Sequence, residues 1–146
     1  MNIVKAIIVI AAAGVLVGSS AAAQHLEMSP GEHEYMNSCA ACHGAEAKGD
    51  GPLAKLLTER VPDLTRIAER NGGAFPIDKV MDIIDGRKQI GSHGGSMPVW
   101  GSRYVVEAGD DYGPWGSAAE LYVRSRILEL AYYLHRIQER DKPASE

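Results

Sequence analysis

Cysteine and basic charge are both scarce in this 146-residue chain, and each shortage removes a class of protein. Only Cys39 and Cys42 are present, too few for the usual four-ligand zinc site, and no His-x₃₋₅-His pair completes the set. The 15 Lys and Arg against 19 Asp and Glu give a formal net charge of −4, which argues against nucleic acid or anionic lipid as the partner. No segment alternates at period two for long enough to demand a sheet, so a β class is excluded. No internal repeat, linker or low-complexity tract divides the chain. The apolar run Ala6 to Val17 is too short for a comfortable membrane span.

That run has a different reading. Lys5 precedes it and Ser19, Ser20, Ala21, Ala22 and Ala23 follow it, the order of a basic region, an apolar core and an A-x-A cleavage signal. Residues 1–23 are therefore expected to be a signal peptide, with an uncleaved N-terminal anchor as the alternative, and 24–146 a single domain. Loss of Lys5 leaves 14 basic against 19 acidic residues, a net of −5.

The two cysteines fall in the run Cys39, Ala40, Ala41, Cys42, His43. If the run is helical, positions i, i+3 and i+4 share a face, so both thiols and the imidazole address one volume. Covalent haem attachment needs this geometry: each thiol forms a thioether, and the histidine coordinates iron. A redox-active CxxC is the competing reading, but such motifs open a helix after a strand, and no strand pattern precedes Cys39.

Helix punctuation surrounds the motif. Ser29, Pro30 and Glu32 read as a capping box with proline at the first helical position, starting a helix that runs into Cys39. Short helices are expected at Leu53–Thr58 and Leu64–Arg70, and another after Pro76, where Val80, Ile83 and Ile84 share a face until Gly86. Ser117 and Glu120 read as a second capping box. The helix they open carries an apolar stripe of Val123, Ile127, Leu130, Leu134 and Ile137. The stretch VVEAGDDYGPWGSAAE, residues 105–120, reads as an elaborated surface loop, with a partner contact as the alternative. The expected class is all-α.

The ordered parts resemble a bacterial class I mono-haem c-type cytochrome: Gly31 to Tyr35, CAACHG, a glycine turn ending in Gly51 and Pro52, IIDGR, MPVWG, and a last helix carrying LAYYL. The resemblance spans nearly all of residues 24–146 and implies a cytochrome c fold of about four to five helices around one haem c, bound through Cys39 and Cys42. It implies His43 and Met97 as iron ligands. Glycines 94 and 95 would let the backbone approach the ring, and Pro98 would stiffen the strap. His93 is the rival in the same loop; Met28, Met36, Met81, His25, His33 and His135 are placed less well.

Further roles follow from the same resemblance. Pro52 matches the proline whose carbonyl accepts the axial histidine's other N–H, and Arg87 the arginine that contacts a haem propionate, with an exposed helix-end arginine as the alternative. Trp100 is expected to pack against the macrocycle or in the plain core. With both iron positions filled no substrate site remains, so the expected function is periplasmic single-electron transfer, as a free carrier or the cytochrome subunit of a dehydrogenase or oxidase system. Its partners would be a redox donor and acceptor. Without the leader no stable membrane insertion is expected. A peroxidase-like enzyme or a gas sensor with an open sixth position is the alternative. The resemblance places Lys48, Lys55, Arg87 and Lys88 in segments that border the haem, either as a basic docking rim or as scattered solvated charges.

Overall fold

A computed structural model describes residues 28–87, 97–113 and 116–139. Among the described residues six α-helices follow one another: α1 (Pro30–Ser38), α2 (Ala40–His43), α3 (Ile67–Arg70), α4 (Ile77–Asp85), α5 (Trp100–Tyr112) and α6 (Ser117–Arg136). Single 3₁₀ turns lie at Ala54–Leu56 and Leu64–Arg66, and no strand occurs among the described residues. The all-α expectation holds; the helix expected at Leu53–Thr58 is only the 3₁₀ turn Ala54–Leu56, and α2 and α5 are additional.

α6 is the spine, and α1, α4 and α5 all pack on it. Its Val123, Ile127, Leu130 and Leu134 are buried, as their spacing requires. Each such side chain contributes roughly 1.5–3 kcal/mol when fully covered. α1 crosses α6 so closely that a Cβ added at Gly31 would stand 2.0 Å from the Glu129 carbonyl oxygen and 3.0 Å from the Tyr133 Cβ. Only glycine fits that crossing. Beside it Tyr35 is fully buried, its ring 5.2 Å from that of Tyr133, and its hydroxyl donates to the Gly44 carbonyl over 2.6 Å.

Ser29 caps α1 as expected, its hydroxyl accepting from the Glu32 amide over 3.3 Å. The second capping box does not form. Gly116 is the N-cap of α6, Ser117 is its first residue, and Glu120 turns outward to Arg87 and Arg124. The larger correction is residues 105–120: 105–112 are not loop but the body of α5, whose Trp100, Tyr104 and Ala108 recur at spacings of four and are buried. The acidic residues and glycine between them hid an amphipathic stripe. Gly86 ends α4 at φ +68°, a left-handed turn in which glycine carries no steric cost.

Candidate functional site

α1 delivers the cysteine motif. Cys39 is a junction at φ −118°, yet its amide still donates to the Tyr35 carbonyl over 2.8 Å and its carbonyl accepts from His43 over 2.9 Å. Helical register therefore passes through the break, and Cys39, Cys42 and His43 keep the shared face. The two cysteines are not bonded to each other. Burial pushes the Cys39 thiol up to about 12, with the negative charge of Glu34 adding to it.

His43 is oriented by a backbone acceptor. Its Nδ1 lies 3.2 Å from the carbonyl oxygen of Pro62, so Nδ1 carries the proton and Nε2 keeps a free lone pair. Burial lowers its pKa below 6.5, against the upward pull of the Pro62 bond, which favours the neutral imidazole a metal needs. Pro52 does not fill this role. The chain leaves Pro52 through the 3₁₀ turn and returns at Val61 and Pro62, held there by the Leu64 amide donating to the Ala47 carbonyl over 2.7 Å. Proximity in sequence to the motif is thus replaced by a contact across 19 residues.

Two cavities flank this histidine. One, of about 300 Å³, is walled by Leu64, Ile67, Val80, Ile84, Leu130 and Leu134; the other, of about 200 Å³, by Leu57, Val61, Pro98 and Trp100. Cys39, His43, Pro62 and Met97 line both. Two thiols, an imidazole with a free nitrogen and a thioether sulfur thus border a largely apolar space, the donor set that a covalently held haem takes. Among the described residues no cluster of three or more His, Cys, Asp or Glu could hold a bare metal ion, which leaves the zinc reading without support.

The model of the cytochrome c family matches residues 28–100, half of the chain. The chain belongs to the cytochrome c family. No curated protein and no solved structure compared with it gave a match. Haem c, bound covalently through Cys39 and Cys42 of its CxxCH motif, is the cofactor of this cytochrome c.

The remaining sequence-predicted residues divide. Met97 and Trp100 border the cavities; Trp100 is buried with its ring 5.9 Å from that of Tyr104. Arg87 does not reach them. Its guanidinium is taken by Asp85 at 2.6 Å and Glu120 at 2.8 Å, where it ties α4 to α6. The polar side chains that do line the larger cavity are Arg70, Asn71 and Lys79. Met28 and Met36 are exposed, Met81 lines a separate groove, and His135 stacks on Phe75 at 5.0 Å. His33 is exposed beside Asn37, while His25, His93 and Lys88 lie outside the described residues. Of the expected basic rim, Lys48 pairs with Glu139 and Arg87 with Asp85 and Glu120, while Lys55 is exposed. Nothing in the local sequence around Pro62 marked its carbonyl as the acceptor for His43.

Proposed function

We propose that this cytochrome c is a periplasmic one-electron carrier whose haem iron is held by His43 and Met97. The observation that carries the reading is that these two side chains, with Cys39, line the same pair of apolar cavities. Bound haem supplies a ferric/ferrous couple, and the chain's own residues determine what that couple can do. Cys39 and Cys42 tether the ring through thioethers. The Pro62 carbonyl fixes the imidazole and strengthens its donor nitrogen. Met97 fills the remaining iron position and closes it to substrate, and the apolar walls exclude water; both favour the reduced state.

Export of the chain through residues 1–23 would bring it to the compartment where a redox donor and acceptor meet it. Among the described residues no helix is long and apolar enough to cross a membrane. Ile83, 45% exposed yet lining the larger cavity, marks an edge that a partner can approach.

Replacing Met97 by alanine tests the reading. The ferric protein should lose its sulfur-to-iron charge-transfer band, its reduction potential should fall, and added imidazole should bind. A wild type that is already high-spin and takes up such ligands would instead support an enzyme or a gas sensor.

A further inference from the structure

Behind the cysteine motif, α1, α5 and α6 enclose a charge pair that electron carriage as described above does not use. Glu34, on α1 five residues before Cys39, is buried. One of its carboxylate oxygens accepts from the Ser38 hydroxyl at 2.6 Å and the Tyr104 hydroxyl at 2.7 Å. The other accepts from Arg126 through Nε at 3.0 Å and Nη2 at 2.7 Å. The Arg126 guanidinium sits 4.0 Å over the Tyr104 ring, and its Nη1 donates to Glu107 over 2.5 Å. Ser38, which donates to Glu34, itself lines the smaller cavity beside Cys39 and Cys42.

Burying a carboxylate and a guanidinium is costly, and a well-packed apolar pair often holds a fold as well. Here burial would raise the Glu34 pKa, but the bonds from Ser38, Tyr104 and Arg126 outweigh it and hold the group ionised. The geometry is ordered outward from the cavity wall: Ser38, then the negative Glu34, then the positive Arg126, then Glu107 toward solvent. The negative member is the nearer one.

We propose that Glu34 is a positioning residue for charge, a fixed anion behind the cavity wall that Ser38, Cys39 and Cys42 form, which, with Arg126 as its counter-ion, would set the reduction potential of the haem held there. The inference rests on the one-electron reading given under Proposed function. Oxidation adds one positive charge at the iron, so a nearby anion stabilises the ferric form and lowers the potential, and a nearby cation does the reverse. Low dielectric strengthens both effects.

Redox titration of the haem-loaded protein tests it. Glu34→Gln should raise the potential and Arg126→Gln should lower it, each by about threefold in the one-electron equilibrium, or about 28 mV at 59 mV per tenfold. The iron-ligand spectrum should stay that of wild type in both. Because either variant leaves a lone buried charge and can fail to fold, Ser38→Ala and Tyr104→Phe supply a second arm. Each strips a donor from the ionised Glu34 without changing charge, and each should lower the potential by a smaller step. Potentials that do not move in these directions, with only stability altered, would overturn the proposal and leave the cluster a structural tie. A wild-type protein with no reversible one-electron couple would overturn the carrier reading and this inference together.

Discussion

Where α1 and α5 meet α6, side chains are finished by protein: Tyr35, Tyr104, Val123 and Ile127 are each 2% exposed or less. Across α6, between Pro62 and Asp85, the same degree of apolar content is left half-covered. Leu64 and Ile67 are partly buried, and Ile83 faces the cavity with nearly half its surface open. The first region closes its own core by helix-on-helix packing. The second joins a single 3₁₀ turn and the four-residue α3, too short to be stable alone, to the nine-residue α4. The contrast teaches that the macrocycle is the missing core of the second region, so cofactor and fold stabilise each other unequally along the chain.

The largest expected effect separates the two regions outright. Cys39→Ala combined with Cys42→Ala should abolish haem retention through acid and organic extraction. Amide exchange should then become fast across 62–85 while α1 and α6 keep more protection. Equal loss in both would erase the distinction. Next comes the α1/α6 crossing, where Gly31→Val must displace the Glu129 backbone; denaturant unfolding should show a loss of about 3 kcal/mol. A near-neutral result would mean that the crossing is loose.

Acid titration probes the self-packed region alone. The Glu34 pKa lies below 4.5 in the fold, so its stabilising effect is present above that value and is lost as pH falls through the lowered one. The thermal midpoint of wild type should therefore drop on acidification below 4.5 more steeply than that of Glu34→Gln. At Ile83 the comparison can be sharpened within one residue: Ile83→Ser should cost the haem-loaded protein about 1 kcal/mol more than the haem-free one, because the ring supplies the cover. The smallest effect belongs to Leu121, 68% exposed on the outer face of α6, where Leu121→Ser should stay within about 0.5 kcal/mol in either form.

Much of this was legible in residue order. The Val123, Ile127, Leu130 and Leu134 stripe gave α6 and its buried face, Ser29 and Pro30 gave the start of α1, and CAACH gave the haem attachment. What failed was non-local or masked by composition. The Pro62 carbonyl reaches His43 only because Ala47 and Leu64 pin the returning chain, and no pattern near Pro62 encodes that contact. α5 was hidden because Glu107, Gly109 and the aspartates read as loop, although Trp100, Tyr104 and Ala108 already kept helical spacing. Arg87 followed its position after the IIDG turn, yet its guanidinium is taken by Asp85 at 2.6 Å and Glu120 at 2.8 Å.

The central claim is that Met97 and His43 both hold the iron, leaving no open position. Proton NMR of the reduced protein with methyl-labelled methionine addresses it directly, because a methionine methyl held over the ring is shifted far upfield by the ring current. The account predicts one such methyl among the methionines, lost in Met97→Ala and retained in Met81→Leu. Absence of any shifted methyl, or its persistence in Met97→Ala, would contradict it and transfer the sixth position to another residue, His93 first.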